Sequence, residues 1–361
     1  MHCSLSRLVI QGWLALGVGV FSAAAQTKIY WTMTDNSGAY VVRADADGSN
    51  PVNIVSGLAN VKGPNGLETA NGLLYWPDQQ LNAIQQANLD GSGVVTFATA
   101  SNPYDVFGTA TKIYWTSQTD NYLDTQLPNG TGYQRLLASP AVDRPFAIEV
   151  TSSNLYWSQL SGSSGSLLRS DLNGANVVTL IPNVVIYDFQ VTSNYIYFAD
   201  VRYPGGALKR ANLDGTAITN LVVAPFGGVD LINGLCVTTN YIYWSEYNVA
   251  SGGGIRRASL GGTDRVDLYN APPGSGIRGV VVLPEVAAPV APPVFTSATK
   301  APGGFAYTLQ TESGRPYRIE TSSNLVHWTE ITNFVSAGTS VSFTNPIAVG
   351  ATNLFFRART P

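Results

Sequence analysis

The chain has 361 residues, 45% of them hydrophobic and 12% charged, with a formal net charge of −3. The charged share is about half the roughly 25% of an ordinary globular protein, while the hydrophobic share excludes a disordered chain. With no basic surplus, neither a nucleic acid nor an anionic membrane is an expected partner.

Residues 1–25 read as an export signal. Arg7 supplies the positive start, LVIQGWLALGVGVF (8–21) the apolar run, and SAAAQ (22–26) the small residues for cleavage after Ala25. Gln11 interrupts the run, which falls short of the roughly 20 apolar residues a membrane-spanning helix needs. The expectation is an exported protein, periplasmic, cell-surface or secreted, starting near Gln26 and without a membrane span. Cys236 is then the one thiol left, so no intramolecular disulfide forms. It lies in the apolar run LINGLCV, which points to a buried, inert thiol.

Residues 26–284 are a repeat. KIYWT at 28–32 recurs at 112–116, with relatives LLYWP (73–77), NLYWS (154–158), YIYFA (195–199) and YIYWS (241–245). The tyrosines, Tyr30, Tyr75, Tyr114, Tyr156, Tyr197 and Tyr243, are spaced by 45, 39, 42, 41 and 46 residues. A period of about 40–45 residues is that of a four-stranded propeller blade. Downstream of each aromatic pair comes a turn dipeptide that tolerates positive φ: Asp47-Gly48, Asp90-Gly91, Asn129-Gly130, Asn173-Gly174, Asp214-Gly215 and Gly261-Gly262. Six units of four short strands predict six blades stacked face to face, with the Tyr and Trp rings filling the space between them. The first aromatic strand has no inner strand before it, and GIRGVVVL (276–283) follows the last unit without a partner. The reading closes the ring by pairing residues 28–32 with residues near 280, which leaves no bare edge at the seam.

The aromatic strand, the R-A-x-L-D-G-like turn (KRANLDG 209–215, QQANLDG 85–91, RRASLGG 256–262) and the strand after it resemble the six-bladed YWTD propellers, or class B repeats, of low-density-lipoprotein-receptor-type proteins. The resemblance covers roughly 27–284 and implies a propeller with a generic role in ligand binding. The fourth motif position is Asp only at Asp78 and Asp200; elsewhere it is Met33, Ser117, Gln159 and Glu246. In the family that Asp helps tie neighbouring blades, so weaker or different ties are expected in this chain.

VLPEVAAPVAPPVF (282–295) contains a Pro/Ala/Val linker, placed at 285–294. Residues 295–361 alternate apolar and polar residues, as in YRIETSS and SVSFTN, and read as a small immunoglobulin- or fibronectin-like β-sandwich. Its block 317–331 is similar to C-terminal accessory domains of exported bacterial proteins. The fold class is therefore all-β: a six-bladed propeller followed by a small sandwich.

The candidate site follows from aligning the inner strands on the next tyrosine. Ten residues before it stand Asn65, Tyr104, Phe146, Tyr187 and Asn233, with Arg278 equivalent in the closing strand. Asp105 and Asp188 come one residue later. These eight residues form an aromatic and polar rim at one mouth of the channel, suited to a protein or polysaccharide ligand. His2 and His327 are the chain's histidines, so the propeller hosts no Ser-His-Asp triad, Cys-His pair or His-ligated metal. The reading is a non-enzymatic binding module without a cofactor. Two alternatives stay open. One is a lactonase-type hydrolase, whose relatives hold a cation in the channel; Glu68 and Glu149, with Asn65 or Asn233, are its candidate ligands. The other is a purely structural envelope component.

Overall fold

Alternation along each aromatic strand sends the tyrosine to one face of its sheet and the tryptophan or phenylalanine to the other. Both faces are buried, so both rings find neighbours. In the computed structural model each tyrosine shares a core with the Trp or Phe of the following blade. Tyr30 packs with Trp76, Tyr75 with Trp115, Tyr114 with Trp157, Tyr156 with Phe198, Tyr197 with Trp244, and Tyr243 with Trp31. All six Trp or Phe partners have 0% exposure. Large rings each bury about 150–250 Å². Six such interfaces give a domain without disulfides its cohesion.

The structure describes residues 27–202, 206–223, 231–247, 252–283, 294–301, 304–311, 316–324, 326–346 and 355–359. The export signal read at 1–25 and residues 285–293 of the linker lie outside them. The described residues fall into two units.

The first unit is six antiparallel four-stranded sheets, whose strands are named in order from the axis outward. Blade 1 is Gly276–Leu283, Lys28–Asp35, Gly38–Asp45 and Val52–Ser56; blade 2 is Glu68–Ala70, Leu73–Asp78, Ala83–Asn88 and Val95–Thr99. Blade 3 is Pro103–Gly108, Ile113–Ser117, Tyr122–Gln126 and Gln134–Leu137; blade 4 is Pro145–Val150, Asn154–Ser161, Ser164–Asp171 and Val178–Pro182. Blade 5 is Ile186–Val191, Tyr195–Asp200, Ala207–Asn212 and Thr219–Val223; blade 6 is Leu231–Val237, Tyr241–Tyr247, Gly254–Ser259 and Val266–Asn270. In blade 1 the last propeller strand pairs with the first, Trp31 opposite Val280. This is the six-bladed propeller that the repeat predicts.

The turn glycines do two things. Gly48, Gly91, Gly174, Gly215 and Gly262 all have φ of 82–85°. A Cβ on any of them would also strike the outer strand of the preceding blade, at the carbonyls of Leu268, Ile54, Leu136, Leu180 and Leu221 respectively. Only glycine meets both demands.

The second unit has two three-stranded antiparallel sheets. One orders Val294–Ala301, Gly304–Gln310 and Ser340–Pro346; the other orders Thr329–Val335, Pro316–Ser322 and Phe355–Arg359. Leu309 and Phe343 of the first sheet share a cluster with Tyr317, Ile319 and Phe334 of the second. The described residues are all-β throughout, and no helix among them is long and apolar enough to cross a membrane.

Candidate functional site

The inner strand of a blade pairs on one edge only. Its other edge faces the channel with unpaired N–H groups, which need acceptors. Most inner strands also carry a bulge just before the paired stretch, for example between Pro103 and Val106, Pro145 and Ile148, and Ile186 and Phe189. A bulge re-aims side chains, and the candidate rim residues sit on such bulges except Asn65, which precedes the blade 2 inner strand.

Three of those rim residues come together. The Tyr104 and Phe146 rings meet edge to face at 4.8 Å, and Phe146 stacks on Tyr187 at 5.2 Å. Tyr104 reaches Tyr187 at 6.1 Å. Burial pushes the Tyr104 phenol far above its usual range, with Arg278 opposing the rise. On the opposite side of the ring, Arg278 Nη1 donates to Asn65 Oδ1 at 2.5 Å. This fixes the amide orientation of Asn65, which is 2% exposed. Asn233 stands on the bulge of the blade 6 inner strand and belongs to neither group. The mouth thus has an aromatic group on blades 3 to 5 and a polar pair on blades 1 and 2.

Asp105 and Asp188 are not rim residues in the sense the sequence implies. Their carboxylates turn into the channel toward the next blade. Asp105 Oδ2 accepts from Ile148 N at 2.9 Å, and Asp188 Oδ2 from Leu235 N at 2.6 Å. Two residues along each strand the pattern repeats: Glu149 accepts from Val191 N, Gln190 from Val237 N, and the Cys236 sulfur from Val282 N. Side chains of one blade therefore cap the channel-facing amides of the next. Glu68 instead accepts from the N–H of its own neighbour, Thr69, at 2.6 Å.

These groups line a channel cavity of about 430 Å³ that begins just past the aromatic rings. Removal from bulk water raises the carboxyls: Glu68 to about 8 and Asp105 to about 7. Glu149 and Asp188 also rise well above the usual range, through burial first and then through repulsion by the other channel acids. Cys236 is half-buried on the cavity wall rather than sealed in a core, and burial pushes its thiol up to about 12. It is a protonated thiol at neutral pH. Glu68 and Glu149 share the cavity, yet among the described residues no three His, Cys, Asp or Glu side chains gather as metal ligands.

The blade ties that the sequence left open are also visible. The third letter of the aromatic strand is a hydroxyl in four blades: Thr32, Thr116, Ser158 and Ser245. Thr116 Oγ1 accepts from Asp105 N at 3.0 Å in its own blade and donates to Phe146 O at 2.8 Å in the next. Thr32 does the same with Gly279 N and Asn65 O, and Ser245 donates to Arg278 O across the seam. Where the letter is Pro77, the Gly66 N–H reaches Tyr104 O directly at 3.2 Å. At the fourth position, Asp78 accepts from four backbone N–H groups, those of Lys62, Gly63, Gln80 and Leu81. Gln159 takes the same place in blade 4, accepting from Asp143 N at 3.2 Å. The hydroxyl letter was the signal available in the sequence; its partners lie about thirty residues away and show only in the fold.

No family model matches the chain. Low-density lipoprotein receptor-related protein 1 of Pyricularia oryzae is 33% identical over 103 residues, covering 27% of this chain and 33% of that protein. The human low-density lipoprotein receptor-related protein 5-like protein is 28% identical over 131 residues, covering 33% of this chain and 51% of that protein. The matches thus span between a third and about half of the length of these relatives. Among solved structures, a chain of a nidogen/laminin complex superposes with a TM-score of 0.59 at 14% identity, over 72% of this chain and 99% of that one. TolB from Acinetobacter baumannii gives a TM-score of 0.59 at 11% identity, over 72% and 67%. At such identities the structural likeness speaks for the fold. The chain is a β-propeller that resembles those of the low-density-lipoprotein-receptor type.

Proposed function

We propose that the propeller is a protein-binding module that works outside the cytoplasm and docks its partner on the channel mouth. The observation that carries this is the two-sided mouth: three packed aromatic rings beside the Arg278–Asn65 pair. Aromatic rings and arginine are the residues that concentrate binding energy in protein interfaces. The rings are already held by one another, so little conformational freedom is lost on binding. The resemblance to receptor-related proteins supports the reading, as does the fold shared with a chain of a nidogen/laminin complex. The signal-like segment 1–25 supports export. A non-enzymatic role fits a propeller with no histidine between residues 27 and 283. The hydrolase reading finds less support, because its candidate ligands are already engaged: Glu68 accepts from Thr69 N, Glu149 from Val191 N, and Asn65 Oδ1 from Arg278.

The test is comparative capture from the exported fraction of the native host. The purified chain and its Tyr104→Ala/Tyr187→Ala variant are immobilised at equal density, after circular dichroism shows both folded. A partner retained by the wild type and reduced at least tenfold by the variant is the expected result. Equal capture by both would remove the mouth assignment.

A further inference from the structure

We infer that the cleft between the outer edges of blades 2 and 3 is a binding site for a neutral oligosaccharide. The site is separate from the channel mouth and does not rest on the function proposed above.

The first observation is a gap. Five turn glycines press on the outer strand of the preceding blade. Gly130, in blade 3, does not: a Cβ there would meet only Gln126 Nε2, at 3.6 Å. Instead the Gln126 amide spans the joint, its Nε2 donating to Phe97 O of the blade 2 outer strand at 3.5 Å, which leaves its Oε1 for a ligand, and a cleft of about 690 Å³ lies beside this bridge. That size is within the roughly 300–1,000 Å³ of small-ligand sites.

The second observation is what lines the gap. The third strand of blade 3 carries Gln126 where the other blades have Ala44, Ala87, Ser170, Ala211 and Ala258. Two residues earlier is Asp124, and the outer edge adds Tyr133 and Arg135. The facing wall, residues 98–101 of blade 2, is made of Ala, Thr, Ala and Ser, which keeps the cleft open.

The third observation is order within the cluster. Arg135 Nε donates to Asp124 Oδ1 at 3.1 Å, and its Nη2 donates to the Tyr133 hydroxyl at 2.9 Å. The same guanidinium lies over the Tyr122 ring, and Trp115 backs Tyr133 at 6.2 Å and 36°. Asp124 is buried, with its side chain 5% exposed, whereas Tyr133 is 55% exposed. A large aromatic ring is thus held rigid while presented to solvent.

This combination fits a sugar. The flat apolar face of a pyranose stacks on an aromatic ring, and its adjacent hydroxyls pair with planar carboxylate, carboxamide and guanidinium groups. Charge chooses among sugars. Asp124 and Arg135 offset each other, and Asp120 adds a further negative charge to the lining, so a uronate or sulfated unit is repelled.

The full chain is titrated with maltotriose, cellotriose, laminaritriose and trigalacturonate, following intrinsic tryptophan fluorescence, and is applied to a glycan array for breadth. Trp115 stands close enough to Tyr133 to report occupancy. The expected result is saturable binding of at least one neutral oligosaccharide. Tyr133→Ala should weaken it at least tenfold with an unchanged melting temperature. Gln126→Ala, which restores the residue other blades tolerate, should weaken it at least threefold. The mouth variant Tyr104→Ala/Tyr187→Ala should bind it as the wild type does. Binding of acidic sugars alone, affinity untouched by both cleft variants, or no binding by any neutral glycan would each overturn the proposal.

Discussion

A single hydroxyl can hold two blades together. Thr116 satisfies the amide of Asp105 and the carbonyl of Phe146 at once, both on inner strands that lack a partner along the channel edge. Thr116→Val keeps the shape and strands both groups. Leaving a buried polar group unpaired costs about 1–3 kcal/mol, so a loss of at least about 2 kcal/mol is expected in denaturant melts, against less than about 0.5 kcal/mol for the exposed Thr111→Val. The channel acids make a second prediction. Glu68 and Asp105 have folded-state values raised to about 8 and about 7, so folding favours their protonated forms. Their contribution is fully present below the unfolded value near pH 4. It falls as the pH rises and is lost once the pH passes the folded values. The turn aspartates Asp47, Asp90 and Asp214 are lowered by their own hydrogen bonds and act in the opposite direction, only below about pH 4. The melting temperature should therefore drop between pH 5 and pH 9, and Glu68→Gln/Asp105→Asn should flatten the drop. A melting temperature that rises over that range would contradict the assignment.

Among elements, the hairpin between the third and outer strands is where blades touch at their rims. Gly91 and Gly130 share the left-handed backbone, with φ of 85° and 81°. Alanine in that conformation costs about 1–2 kcal/mol at either position. Only at Gly91 would its Cβ also strike a neighbouring strand, at Ile54 O. Gly91→Ala should therefore lower the melting temperature clearly more than Gly130→Ala, and equal losses would mean that blade 3 packs on blade 2 as the others do. The sequence made these hairpins legible because turn chemistry is local: a D-G or N-G pair beside an aromatic strand needs no distant partner. The same locality explains why six blades could be counted. It also explains what stayed hidden. Asp105 and Asp188 read as rim residues because strict alternation says nothing of a bulge, and the bulge with the next blade's bare amides turns them into the channel. The packing of Tyr104, Phe146 and Tyr187 on one another was not legible either, since it depends on three strands converging at one level.

At the scale of the whole molecule a propeller is a ring with a seam, and its stability depends on the seam matching the other joints. In this ring it does so three ways. Gly276–Leu283 forms the inner strand beside Lys28–Asp35, placing Tyr30 opposite Val281 and Trp31 opposite Val280. Ile277, Val280 and Val282 enter the same core as Trp31 and Tyr243, so the closing strand fills the interface between the last blade and the first. The hydroxyl ties continue across it, with Ser245 donating to Arg278 O and Thr32 accepting from Gly279 N. Ile277, Val280, Val281 and Val282 are at most 9% exposed. Fully burying such a side chain is worth about 1.5–3 kcal/mol, so the four together approach the roughly 5–15 kcal/mol that a whole domain has to lose. Deleting residues 276–283 should thus lower the melting temperature sharply. It should also expose blades 1 and 6 to hydrogen exchange before blades 3 and 4, because those two lose their shared interface first. Substituting Ser245→Ala breaks one tie and leaves the strand in place, so it should cost only a few degrees. An unchanged melt after the deletion, or exchange spread evenly over all six blades, would show that the ring does not depend on this strand for closure.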